Sequence, residues 1–293
     1  MTMLPTRRGR AAVARAITAT STVAVLQAAA LALLLGATPA KADQASLDRL
    51  LAGNACEGCD LRGASLAGRD LSEMRLTNTN LRGADLKGAD LSRADLSGAD
   101  LRRASMERAR LEGARVTGVK LAGADLEKAE LSGADLSGSD LRDTDLSKAD
   151  FTGTILRGTQ LTRALIKRAA FDRAILEGAD MEGVNLERST LIGANLKGVN
   201  LTDADLDRAV LDGADLEGAR LAGSRLDRAS FVGARLRGID LRDASIRLVD
   251  FSGADLEGAQ GLTQARIDEA CGDKGTRLPR GFTIPACATP ARS

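Results

Sequence analysis

The chain has 293 residues, with 41 Lys+Arg against 40 Asp+Glu and a formal charge of +1, so no bulk polyelectrolyte charge is available to hold nucleic acid. It contains no His, Trp or Tyr. That removes Ser-His-Asp and Cys-His catalytic arrangements and every His-based metal set, and it leaves almost no absorbance at 280 nm.

Residues 1–42 begin with Arg7, Arg8, Arg10 and Arg15, continue through the apolar run Val23 to Gly36, and end at Ala40-Lys41-Ala42. A basic start, a short apolar stretch and a small-x-small site predict a secretory signal peptide cleaved after Ala42. The run is shorter than the ~20 residues of a transmembrane helix, so no membrane anchor is expected after cleavage. Loss of Arg7, Arg8, Arg10, Arg15 and Lys41 takes the formal charge from +1 to −4. The expected compartment is the periplasm.

Residues 43–58 form the next unit. Asp43 to Leu51 predicts a short helix with Asp43 as N-cap and Gly53 past its end. A CxxC follows, Cys56 and Cys59.

From Leu61 to Leu256 a hydrophobic residue occupies every fifth position, forty in succession: thirty-one Leu, four Phe, two Met, two Ile and one Val. In a helix, steps of five residues advance ~140° and scatter the leucines around the axis. In a flat strand an odd step alternates faces. One shared core therefore requires a corner inside every unit. The residue two before each Leu, most often Ala, points inward with it, and the residue between them points outward. That outward residue is Asp or Asn in twenty-one of the forty units. Phe151, Phe171, Phe231 and Phe251 are separated by multiples of twenty, and so is the column Asn78, Gly98, Gly118 to Gly258 at the second corner position. Four units therefore close one coil, and forty give about ten coils, stacked to ~48 Å at the ~4.8 Å spacing of neighbouring strands.

The unit Ala-Asp-Leu-x-x, clear in Gly83 to Leu101, resembles the motif of the pentapeptide-repeat family. The resemblance spans residues 59–260 and implies an all-β fold, a right-handed quadrilateral parallel β-helix, with short α-helical caps at both ends. A fold of this kind does not by itself define a function.

Residues 261–293 make the far end. Thr263 to Cys271 predicts a second helix, with Thr263 as N-cap and Gly272 as its stop. The turn-rich segment through Pro279 and Pro285 resembles the tails of exported relatives. The four cysteines fall at opposite ends of the coil stack, which rules out a shared Cys₄ zinc site and leaves Cys56–Cys59 and Cys271–Cys287 as the expected disulfides. A redox CxxC is the alternative, though no thioredoxin-like βαβ pattern surrounds it.

Two surfaces stand out. Arg108, Lys128, Lys148, Arg168, Arg188, Arg208 and Arg228 recur at one corner, with Glu107, Glu127, Glu187, Asp207 and Asp227 beside them. The pattern predicts a locally neutral edge rather than an anion track, and a turn there that does not use positive φ, unlike the Gly column. The outward acidic position lapses at Ile155, Leu165, Ala170 and Ile175. Ile155, Leu165 and Ile175 are the candidate partner patch, meeting an envelope protein or a sister chain in a homodimer.

Catalytic and cofactor-binding residues are not expected, because an outward ladder of carboxylates offers no cleft. The expected function is an exported, non-enzymatic scaffold for protein–protein interaction in the bacterial envelope. The alternative is a DNA-mimicking gyrase inhibitor or protection protein, as in some relatives. Residues 60–260 carry 30 Lys+Arg against 34 Asp+Glu, a balance of −4, which is weakly acidic for such mimicry. No nucleic-acid partner is expected.

Overall fold

The computed structural model describes residues 42–287; the signal-peptide segment lies outside them apart from Ala42. The first element, α1 (Gln44–Leu51), starts where the Asp43 side chain accepts the Ser46 N–H, and it buries Leu50. The Asp43 N–H donates to the Asp60 carbonyl at 2.9 Å, joining the helix to the first turn of the repeat. Among the described residues no helix is long and apolar enough to cross a membrane.

The repeat is a stack of parallel bridges, each between residues twenty apart, from Asp60↔Asn80 to Asp240↔Gln260. Four columns result, and we number the sides by their first outward residue: side 1 Asp60, side 2 Ser65, side 3 Asp70, side 4 Arg75. Each side contributes a single bridged residue per coil, so the chain is almost all corner.

One unit shows how its backbone donors are satisfied. In Leu91 to Asp95, Leu91 N–H donates to Arg110 O at 2.7 Å, Arg93 N–H to Glu112 O at 2.9 Å and Asp95 N–H to Met74 O at 2.9 Å, so three bonds run between coils. Ala94 N–H returns to Leu91 O at 3.0 Å, closing the corner. The Ser92 N–H has no carbonyl to reach, and the Asp90 side chain accepts it at 3.0 Å. The same side-chain cap forms at all twenty-one Asp and Asn outward residues. The preference for Asp or Asn is therefore a backbone requirement, since those side chains accept a bond from two residues on. Where Thr190 and Ser230 replace the acid, Asp172 and Asp212 of the preceding coil cap Ile192 and Val232 instead.

Every second corner residue lies at positive φ, including Arg108 at 56°, Lys128 at 60°, Arg188 at 59° and Arg228 at 58°. The expectation of a different turn at the cationic corner fails: all four corners of a coil use the type II geometry, with φ > 0 at the third residue. The constraint is common to all corners because each must turn the chain between stacked coils. Arg and Lys accept the strained conformation as single residues, at a cost of about 1 kcal/mol each relative to Gly.

The interior is filled by the Leu column and by the small residues two before it. Phe151 stacks on Phe171 with centroids 4.5 Å apart, and Phe231 on Phe251 at 5.7 Å, each pair one coil apart on side 3. Inward Thr and Ser bond to the backbone, as Thr154 Oγ1 does to Leu131 O at 2.9 Å and Ser139 Oγ to Val116 O at 2.7 Å. The inward rule breaks in the first coil, where Arg69 is exposed and Met74 only half-buried.

At the far end, α2 (Gln264–Ile267) is shorter than the sequence predicts. The backbone beyond it is claimed by the ladder: Phe251 N–H donates to Cys271 O, and Cys271 N–H to Val249 O. Asp250↔Cys271 extends side 3, Asp255↔Arg277 extends side 4, and Gly272 pairs with Ala286.

Candidate interaction surfaces

Cys56 is bonded to Cys59 and Cys271 to Cys287, and among the described residues no cysteine is free. Asp250 Oδ1 lies 3.2 Å from Cys287 Sγ, but sulfurs joined in a disulfide offer no thiolate to a metal or a substrate. The second disulfide fastens the tail to the end of side 3.

On the edge between sides 1 and 2, four arginines are committed to the outward carboxylates of side 1. Arg62, Arg102, Arg142 and Arg242 each fold back on the outward Asp two residues earlier, with contacts of 2.6, 2.5, 2.8 and 2.6 Å. These guanidiniums hold Asp60, Asp100, Asp140 and Asp240 below the usual carboxylate range. On the edge between sides 2 and 3, Lys128 and Lys148 both reach Glu127 at 2.9 Å and lower its carboxyl to about 2. Farther along that edge Lys167 takes Glu187 at 3.2 Å and the arginines are left more loosely paired. Arg188 stands 3.7 Å from Glu187, Arg208 3.9 Å and Arg228 3.6 Å from Asp207, all beyond hydrogen-bond reach. Asp207 is itself buried, and its Oδ1 has no hydrogen-bond partner.

The carboxylate pair Glu112 and Glu130 shares the surface of side 3 with Arg110, and Glu112 pushes the Glu130 carboxyl up. Glu130 is exposed, and among the described residues it belongs to no group of three or more metal-ligating side chains.

The residues of the candidate patch do not come together as one. Ile155 and Ile175 are bridged neighbours on side 4, both half-buried. Leu165 pairs with Asp145 and Asn185 on side 2, half a coil away and on the opposite side, and is 49% exposed. Ala170 belongs to side 3. Residues five or ten apart along the chain occupy different sides; neighbours are found by stepping twenty. That step also locates exposed apolar residues missed along the chain, Ile192 at 45% and Val232 at 39% on the edge between sides 3 and 4.

A four-sided stack of parallel bridges whose outward side chains cap its own turns defines a solenoid repeat protein. Residues 56–93, 89–127, 129–168, 160–203, 204–243 and 224–260 match the family described as pentapeptide repeats, in 8 copies. The chain belongs to the pentapeptide-repeat family. Members of that family fold as right-handed quadrilateral β-helices. Among solved structures it is similar to HetL, a pentapeptide repeat protein involved in heterocyst differentiation regulation from the cyanobacterium Nostoc sp. strain PCC 7120, at 30% identity over 79% of this chain and 97% of that one, TM-score 0.41. QnrB1, a plasmid-mediated fluoroquinolone resistance protein, is 19% identical over 60% of this chain and 90% of its own, TM-score 0.32. A pentapeptide repeat protein from the Arabidopsis thaliana thylakoid lumen is 29% identical over 48% and 71%, TM-score 0.21. Among curated proteins none matches the chain.

Proposed function

We propose that this protein is an exported, non-enzymatic scaffold in the bacterial envelope, a ten-coil solenoid with helical end caps that presents flat, pre-organised faces to a protein partner. The observation that carries the reading is that surface polar groups are spent on the fold itself: outward Asp and Asn cap turns, and Asp60, Asp100, Asp140 and Asp240 hold arginines. Such a surface has fixed side chains and little ordering cost on binding. Two disulfides engaging all four cysteines support an oxidising compartment. Ile155 and Ile175 on side 4 remain a candidate contact, now without Leu165.

Affinity capture from the envelope fraction of the native host tests the scaffold, with N-terminal sequencing of the mature chain to test export. A mature chain starting at Asp43 and a reproducible protein partner are the expected results. A chain retaining Met1, located in the cytoplasm with four free thiols, rejects the export reading. Ile155→Asp with Ile175→Asp supplies two turn-capping carboxylates, so the fold should persist; unchanged capture by this variant would remove side 4 as the contact.

A further inference from the structure

We propose that side 3 between Ala170 and Ser230 docks an acidic amphipathic helix of a protein partner. This rests on the scaffold reading and adds a place and a partner chemistry to it. Two independent features coincide over the same four coils. The outward ladder Ala170, Thr190, Val210 and Ser230 carries no charge, whereas the same column below it holds Asp70, Asp90, Arg110, Glu130 and Asp150. Along one border of this neutral strip stand Arg168, Arg188, Arg208 and Arg228, all exposed. Their guanidiniums make no hydrogen bond among the described residues, and the nearest carboxylates of Arg188, Arg208 and Arg228 lie 3.6–3.9 Å away. Among the described residues Arg168 has no ion pair; Glu187, which lines the same surface depression, is taken by Lys167 at 3.2 Å. Along the other border, Ile192 and Val232 are 45% and 39% exposed. Asp172 and Asp212, the acids on that border, are turned to the backbone N–H groups of Ile192 and Val232.

The strip is thus an uncharged floor with hydrophobic knobs on one side and, on the other, four guanidiniums that no carboxylate holds within hydrogen-bond distance. Its complement is apolar on one face with carboxylates along one flank. Spacing selects the form of that partner. Four arginines one coil apart span about 14 Å at ~4.8 Å per coil. Helical turns repeat every ~5.4 Å, so a carboxylate on each of four turns spans about 16 Å, within the reach of an Arg side chain. Same-face residues of an extended strand repeat at ~6.7 Å and span about 20 Å, which leaves the last pair out of register. The contact lays one face of the helix along the flat strip, with steering from the arginine row.

The probe is a labelled synthetic helix of about four turns, with Leu at helical spacing and Glu along one flank, titrated against the full disulfide-bonded chain by fluorescence anisotropy. The test variant combines Arg188→Gly and Arg208→Gly. Both positions lie at positive φ, 59° and 57°, so Gly keeps the turn and an unchanged or higher Tm verifies the fold. Arg163→Gly, at φ 60° on the edge between sides 1 and 2 and paired with Asp143, is the charge-removal control. Saturable, salt-sensitive binding that weakens about tenfold in the double variant and holds in the control is expected. Absent binding, equal binding by all three proteins, or equal weakening in the control would overturn the proposal. Tighter binding to an extended acidic peptide, or to phosphatidylglycerol vesicles, would overturn the helical occupant. If the double variant still captures the native partner at full yield, the site falls while the scaffold reading stands.

Discussion

The outward Asp is the residue on which the coil depends locally. Asp135 accepts both the backbone N–H and the hydroxyl of Ser137, at 3.0 and 2.6 Å. Asp135→Asn keeps an acceptor in place and is expected to be near neutral, whereas Asp135→Ala leaves the N–H to solvent and should cost about 1 kcal/mol in a denaturation series. The second corner position gives the complementary case. Leu248 lies at φ 57° with its side chain 64% exposed, so it combines backbone strain with little burial. Leu248→Gly should raise stability by about 1 kcal/mol, and Gly158→Ala, at φ 61°, should lower it by a similar amount. A drop in Tm for Leu248→Gly would mean that the leucine packs in solution. The sequence made these positions visible as columns, but it hid their common geometry. Arg108, Lys128 and Arg188 suggested a corner free of positive φ, because side-chain identity reports what a conformation costs, and a stack of coils can carry that cost.

At the scale of the element, the tail behaves as a continuation of the solenoid. Cys271–Cys287 closes a loop of sequence separation 16 over the end of sides 3 and 4. Reduction should release the segment after Ile267 and destabilise it by about 3 kcal/mol on loop-entropy grounds. Limited proteolysis with and without reductant checks this: new cleavage is expected within residues 268–287, with the repeat itself intact. Cleavage inside the repeat on reduction would show that the tail holds the whole stack. Helix α2 illustrates the limit of local signals. Thr263 caps it as its residue type predicts, but Cys271 is drawn into the side 3 ladder, so the helix ends earlier than its sequence pattern does.

At the scale of the molecule, the stack should respond to acid as one cooperative array. The carboxylates of Asp60, Asp100, Asp140 and Asp240 are held down first by their Arg hydrogen bonds, and Glu127 is lowered to about 2 by Lys128 and Lys148. A group depressed in the folded state contributes fully above its unfolded value and loses that contribution as pH falls through the folded one. For ordinary values of 3.8 for Asp and 4.5 for Glu, stability should hold from pH 7 to about 4.5 and decline progressively toward pH 2. Tm measured across that range checks the sign; a maximum at low pH would contradict the role given to these pairs.

The strict fifth-position hydrophobe and the twentieth-position columns determined the four-sided solenoid without coordinates, because a core buried from one side in every unit admits no other regular path. Helix α1 and its Asp43 cap were equally legible, since a cap is a contact between residues three apart. Only the tertiary structure decided which residues share a surface. Ile155 and Leu165 are close in the chain and lie on opposite sides, while Arg168 and Arg228 are sixty positions apart and stand on one edge. It also decided which charges are satisfied: the arginine beside Asp100 is locked at 2.5 Å, whereas Arg208 reaches no closer than 3.9 Å to the buried Asp207. Composition places both kinds of arginine on the surface. Whether each has a partner depends on distances of about an ångström, and those are fixed by the stacking of coils rather than by the order of residues within one.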